Sequence, residues 1–285
     1  MTMGRRRFRA VYWLLLPGLL WLFLFFVIPL YSLIATSLYD PSGGMDAGYR
    51  MTWHVANYGQ AIRDYSGPLL RSLLYGAIAT ALCLILGYPL AYAIAFKSGK
   101  WRGVMLMLVI APFFTSFLIR TLAWQLILAD QGVVVQVLKT LHLLGPDGRL
   151  LATPVAVVAG LTYNFLPFMV LPLYAALEKI DPRLIEAASD LYASPLRGFA
   201  AVTWPLSLTG VVAGTLLTFI PAAGDYINAE LLGNTETRML GNVIQDLFTN
   251  VGDYPAAAAL SMSLMVLIVG MVLVYVRRAG TEDLL

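Results

Sequence analysis

The chain has 285 residues, of which 59% are apolar and 12% charged, with a net charge of +3 and a mean hydropathy of +0.76. Soluble domains carry about 25% charged residues, so this composition excludes a water-soluble globular protein. The small positive charge makes no case for a nucleic-acid partner, and the single cysteine, Cys83, excludes an intrachain disulfide or a cysteine-built metal site.

Six apolar runs follow one another at about 11–38, 68–96, 103–129, 154–177, 203–227 and 255–276. Each lacks acidic residues through its centre and reaches the length of about 20 residues that crosses a bilayer as a helix. Backbone cannot face lipid unbonded, so all six runs are read as helices. The fold class is therefore an all-α membrane protein with six transmembrane helices, forming one domain over residues 1–285. Pro17, Pro29, Pro89, Pro112, Pro167, Pro172 and Pro221 fall inside the runs and are expected to kink several of them. The opening "MTMGRRRFRA" has the charge of a secretory signal, but the following run of 28 residues is too long for a signal core. No small-residue cleavage site follows either, and we read an uncleaved first span.

Lysine and arginine set the orientation. With both termini cytoplasmic, the inner segments hold Arg5, Arg6, Arg7, Arg9, Lys97, Lys100, Arg102, Lys179, Arg183, Arg197, Arg277 and Arg278. The outer segments hold only Arg50, Arg63, Lys139, Arg149 and Arg238, while Arg71 and Arg120 fall within spans. Two outer stretches, "QGVVVQVLKTLHLLG" (131–145) and "RMLGNVIQDLF" (238–248), have apolar residues at helical spacing and read as short surface helices.

The fourth and fifth spans are joined on the cytoplasmic side by "EKIDPRLIEAASDLYASPLRGFAAVTWP". Asp181-Pro182 is a helix opening, because Asp caps free N–H groups and Pro fits the first turn. The helix it opens runs to about Leu191, with Leu184, Ala187, Ala188 and Leu191 on one face. Ser194-Pro195 opens a second short helix, and Phe199 and Val202 are spaced to pack back on the first. Small residues allow another backbone to approach closely, and Glu186 offers a charge-assisted contact.

This stretch resembles the EAA signature of permease subunits of ABC importers. The family pattern is Glu-Ala-Ala, three residues, Gly, nine residues, then Ile-x-Leu-Pro. The chain supplies Glu186-Ala187-Ala188, Tyr192 at the Gly position, and Val202-Thr203-Trp204-Pro205, with every spacing kept. Tyr192 and Trp204 depart from the pattern. A tyrosine adopts positive φ only at a cost, so either the turn differs here or its backbone is not left-handed. The resemblance implies a type I ABC importer permease fold with a cytoplasmic coupling loop over 178–202. It implies that Glu186, Ala187, Ala188, Asp190, Leu191, Tyr192 and Ser194 meet an ATPase subunit dimer. It also implies a second homologous permease and an extracytoplasmic solute-binding protein. No Gly-x-x-x-x-Gly-Lys-Ser/Thr sequence occurs, so ATP and Mg are expected in the partner ATPase and no cofactor in this chain. The location implied is the bacterial cytoplasmic (inner) membrane.

The stretches "APFFTSFLIRTLAW" (111–124), "YNFLPFMVLPLYAALEKID" (163–181), "FIPAAGDYINAELLGN" (219–234) and "MLGNVIQDLF" (239–248) resemble spermidine/putrescine permeases of the B type. With the EAA stretch, this likeness covers the chain from about Asn57 to Tyr275. Its implied solute is a polyamine or a related small cation. The family's solute path runs near Asp225, Tyr226 and Glu230, where carboxylates beside an aromatic ring suit an ammonium group by ion pairing and cation–π attraction. Outer span ends are also polar and tyrosine-rich for reasons of membrane anchoring alone. Arg120, inside the third span, either lines the path or anchors packed carbonyls. The second role is favoured because a cationic solute is repelled by a guanidinium. Gly210 and Gly214 form a GxxxG pair suited to close helix packing.

Two other classes compete. An ion-driven secondary transporter would carry paired charges at midplane in matched halves, and only Arg120 lies deep here. A membrane-embedded enzyme would need a catalytic constellation, but His54 and His142 stand far apart with no metal-binding spacing.

Overall fold

A computed structural model describes residues 14–43, 48–192 and 194–278, so the basic cluster from Arg5 to Arg9 lies outside the described residues. The described residues are helical apart from connections and one isolated bridge between Tyr39 and Met51. In chain order the helices are α1 (Leu14–Ser37), α2 (Ala56–Asp64), α3 (Ser66–Lys97), α4 (Arg102–Ile110), α5 (Phe117–Leu128) and α6 (Val133–Thr140). There follow α7 (Pro154–Leu177), α8 (Pro182–Asp190), α9 (Pro195–Ala223), α10 (Ile227–Leu232), α11 (Leu240–Asp246) and α12 (Tyr254–Arg278). Wider π-type turns interrupt α1 at Phe23–Val27 and α9 at Phe199–Thr203 and end α3 at Ala93–Lys97. Both outer stretches that read as short helices contain one, α6 and α11.

Proline places several helix starts. Pro154 follows Thr153, whose Oγ1 accepts from the Ala156 N–H at 3.3 Å, and Pro182 follows Asp181, whose Oδ1 accepts from the Arg183 N–H at 3.0 Å. Each pairing caps a free donor and places proline where its missing N–H costs nothing.

The third apolar run departs from expectation. Instead of one helix over 103–129, α4 ends at Ile110, Ala111–Phe114 tightens into a 3₁₀ turn, and Thr115 is extended at φ −109° and ψ 150°. Pro112 cannot donate into the preceding turn, which loosens the ladder at this point. The stretch long and apolar enough to cross a membrane in this region, Phe117–Thr140, comprises α5 and α6 with a turn between them. Hydrophobicity alone does not distinguish a continuous helix from two pieces of the same composition.

The chain divides into two compact units. The first comprises Met1–Asp64 and Ile244–Met265. Here Asn57 donates to the carbonyls of Ser37 and Tyr39 at 3.0 and 2.8 Å, and the Tyr58 hydroxyl lies 2.7 Å from Ser37 Oγ. These bonds fasten α2 to the end of α1. The Tyr49 hydroxyl donates to the carbonyl of Gly252, which is left-handed at φ 76°. The apolar side chains of α1 are exposed on this chain, as expected of a helix facing lipid or another subunit.

The second unit comprises Tyr65–Val243 and Val266–Leu285. Helix α7 is its centre, with 56% of its most apolar stretch buried, and α3 and α9 pack against it. Tyr75, Ala79, Leu161, Phe165 and Ala222 form one apolar cluster, and Cys83, Ile94, Met169, Leu173 and Leu177 another. Helix α9 approaches so closely that a Cβ on Gly210 would lie 2.6 Å from Ala176 Cβ and 2.8 Å from the Pro172 carbonyl oxygen. The GxxxG pair is therefore a contact surface between α9 and α7, where dispersion replaces the weak hydrophobic drive in lipid. Tyr88 on α3 adds a 2.7 Å hydrogen bond to Ser207 on α9.

Candidate functional site

Two groups of residues carry chemistry, both in the second unit. The first is the elbow from Glu178 to Val202. Helix α8 occupies Pro182–Asp190, as its capping residues dictate. The second expected helix is not separate: Pro195–Gly198 forms the first turn of α9 and runs through a π-type turn into the fifth span. Ser194 Oγ caps it, accepting from the Arg197 N–H at 3.4 Å. Phe199 turns its ring onto α3, with centroids 5.6 Å from Tyr88 and 6.3 Å from Tyr92. The elbow is thus continuous with α9 and braced on α3.

Its outer face is open. Glu186, Ala187 and Asp190 are exposed, and Ala188 is half-buried. Leu191 and Tyr192 at the end of α8 and Leu196 at the start of α9 expose 82%, 97% and 81% of their surface. Tyr192 corrects the reading from sequence, because its φ is +57°. The turn is left-handed here with a tyrosine in the glycine position. The reversal from α8 to α9 occupies only the residues between Asp190 and Ser194, and closing it overrides the local preference of tyrosine. Left-handed backbone costs a non-glycine residue about 1–2 kcal/mol. Tyr192→Gly is therefore expected to leave the melting temperature of the purified chain unchanged or raised, since relief of strain is partly offset by about 0.5–1 kcal/mol of unfolded-chain entropy. A clear fall in thermal-shift measurements would show that the ring itself holds the turn.

The second group is polar and lies among α5, α7, α10 and α11. Asn164 on α7 donates from its single amide nitrogen to Thr121 Oγ1 on α5 at 3.2 Å and to Asn228 Oδ1 on α10 at 3.0 Å. Asn228 in turn donates its N–H and Nδ2 to Asp225 Oδ1 at 2.8 and 3.2 Å. These four side chains are buried, Asp225 at 8% exposure. Gly160 makes the approach of α10 possible, because a Cβ there would lie 2.4 Å from Leu232 Cδ1 and 2.7 Å from Asn228 Oδ1. Nearby, Asn242 on α11 donates to the Tyr226 carbonyl at 2.8 Å and to Glu230 Oε2 at 2.9 Å.

The three residues Asp225, Tyr226 and Glu230 therefore play different structural parts. Asp225 points into the buried amide relay. Tyr226 and Glu230 are exposed, and Asn242 holds the Tyr226 backbone and the Glu230 carboxylate together. Arg120 is 8% exposed, and its guanidinium carbon lies 5.5 and 5.6 Å from the ring centroids of Phe113 and Phe117. Its Nε and Nη1 have no hydrogen-bond partner among the described residues. The aromatic faces supply its contact by cation–π attraction. Thr121, Asn164, Asn228 and Asn242 did not emerge from the sequence. A lone amide in the apolar stretch "LTYNFLPF" was the available signal, since a polar group inside a span needs a partner in the bundle.

Residues 84–279 match the family of binding-protein-dependent transport system inner membrane components, and the chain belongs to this family. It is an inner-membrane, multi-pass permease subunit of the ABC importer type. The chain is 39% identical over 259 residues to the spermidine/putrescine transport system permease protein PotB of Escherichia coli, covering 90% of this chain and 93% of that protein. PotB of Haemophilus influenzae is 37% identical over 258 residues, with 90% of each chain covered. The inner membrane ABC transporter permease protein YdcU of Escherichia coli is 32% identical over 253 residues, 84% of this chain and 77% of that one. Among solved structures, a bacterial ABC transporter involved in the import of the acidic polysaccharide alginate covers 98% of both chains at 19% identity and a TM-score of 0.71. The alginate transporter in complex with its alginate pentasaccharide-bound periplasmic protein covers the same shares at 20% identity and a TM-score of 0.72. These structures establish the fold, an ABC importer permease.

Proposed function

We propose that the chain is a single permease domain forming half of the translocation path of an importer for polyamines such as spermidine and putrescine, or for a closely related small cation. The observation that carries this reading is the 39% identity to a spermidine/putrescine permease over 90% of the chain. A partner ATPase dimer, which binds ATP and Mg, grips the elbow over 178–202. A second homologous permease completes the path, and an extracytoplasmic solute-binding protein delivers the solute. Both termini lie in the cytoplasm, in keeping with the excess of lysine and arginine in the segments on that side.

In this reading Tyr226 and Glu230 offer an ammonium group an exposed ring and carboxylate, with Asn242 fixing the carboxylate. Asp225 shapes that end of the path from within, through Asn228. Arg120 is a packed cation beside the path, since its buried nitrogens and aromatic contacts support a bracing role over direct contact with a cationic solute.

The test is reconstitution in liposomes with the candidate ATPase, second permease and binding protein. Polyamine uptake should require ATP. Uptake by this chain alone, driven by an ion gradient, would refute the proposal in favour of a secondary transporter. In the same system Glu230→Gln is expected to lower polyamine transport more than it lowers assembly of the complex. Equal losses of both would assign Glu230 a structural role.

A further inference from the structure

At the root of the elbow, two charges stand at the wrong ends of their helices. Arg102 opens α4, and Glu178 caps the C-terminus of α7. Helix dipoles favour anions at N-termini and cations at C-termini, so neither residue stabilises its own helix. They meet instead. Arg102 Nη1 donates to Glu178 Oε1 at 2.7 Å, and Nη2 donates to the Ala95 carbonyl at 2.7 Å. The guanidinium carbon also lies 6.0 Å from the Tyr174 ring centroid. Ala95 belongs to the last turn of α3, where carbonyls lack helical partners. One planar fork thus joins the ends of α3 and α7 to the start of α4, and the elbow begins at Glu178. The pair is 40% and 43% exposed, so its contribution to stability is small and its geometry is the significant feature.

We propose that Arg102 is a positioning residue, a clasp through which displacement of the coupling elbow is passed to α3 and α4. This rests on the reading of the elbow as the ATPase contact. Without the clasp, the elbow still docks but its movement is taken up by slack between α7 and the two neighbouring helices. Lysine cannot replace arginine fully, because one ammonium lacks the fork that reaches two acceptors in fixed directions.

The experiment uses the complete reconstituted transporter and reads putrescine taken up per ATP hydrolysed, together with co-purification of the ATPase. Arg102→Gln and Glu178→Gln should each keep the ATPase bound and lower the ratio about fivefold, the low end of the effect of losing a coupling contact. Arg102→Lys, which keeps the charge but not the fork to Glu178 and the Ala95 carbonyl, should recover the ratio only in part, whereas a merely structural ion pair would be restored by it in full. Glu186→Ala serves as the reference. A wild-type ratio in Arg102→Gln beside a lowered one in Glu186→Ala overturns the clasp and leaves the elbow reading intact. A wild-type ratio in both overturns both. Loss of the ATPase from Arg102→Gln also overturns the clasp, because it makes the residue part of the docking surface.

Discussion

Glu186→Ala is expected to release the ATPase from the complex or to leave hydrolysis running without transport, while the chain itself keeps its fold. The physical reason lies in the exposure of the elbow. Glu186 stands on the open face of α8, beside the small side chains of Ala187 and Ala188 and near the bare surfaces of Leu191, Tyr192 and Leu196. None of the described residues shields Glu186, so removing the carboxylate leaves no buried group unsatisfied here. On the proposed coupling role the same carboxylate is buried against a donor in the complex, where a hydrogen bond to a charged group contributes about 1.5–3 kcal/mol. A loss of that size weakens association by about ten- to a hundredfold, at 1.4 kcal/mol per factor of ten. Co-purification of the ATPase and the ratio of transport to hydrolysis measure the effect. Normal values for both in Glu186→Ala would remove the carboxylate from the coupling surface.

The second large effect is on the fold. Gly210→Val is expected to separate α9 from α7 and to destroy the monodisperse chain in detergent. At this position even a Cβ would lie 2.6 Å from Ala176 Cβ, 2.8 Å from the Pro172 carbonyl oxygen and 3.2 Å from Leu173 Cα. Two of those three atoms are backbone of the most buried helix, so no rotamer change relieves the clash. Overpacking of this kind typically costs about 1–3 kcal/mol and more where backbone must move. Gly270 is the control, since nothing lies within 4 Å of a Cβ placed there. Gly270→Ala should melt like the parent in a thermal-shift assay, and Gly210→Val should show no cooperative transition. Equal melting of the two would mean that α9 and α7 are not packed as described.

The parts of this architecture that were legible in the sequence are those set by local chemistry. Apolar length gave helices around each of the six runs, and capping by Asp181 and Ser194 placed helix starts. The glycine pair at 210 and 214 signalled the close contact between α9 and α7. The elbow was legible because its residues keep a fixed spacing that apolar periodicity does not produce. Other features depend on contacts between distant segments. The break after Ile110 occurs in a run whose composition is uniformly apolar. The amide relay through Thr121, Asn164 and Asn228 exists only because α5, α7 and α10 converge. Tyr192 shows the opposite failure, in which a sound local preference is overruled by the short reversal between α8 and α9. The pairing of Arg102 with Glu178 spans 76 residues of sequence and follows from no periodicity.

The most direct measurement is site-specific cross-linking from the tip of the elbow in intact membranes. A photoreactive residue at position 192 should cross-link to the nucleotide-hydrolysing subunit and should be shielded from reagents added outside the cell. Cross-links to lipid alone, or labelling from the outer side, would contradict the account.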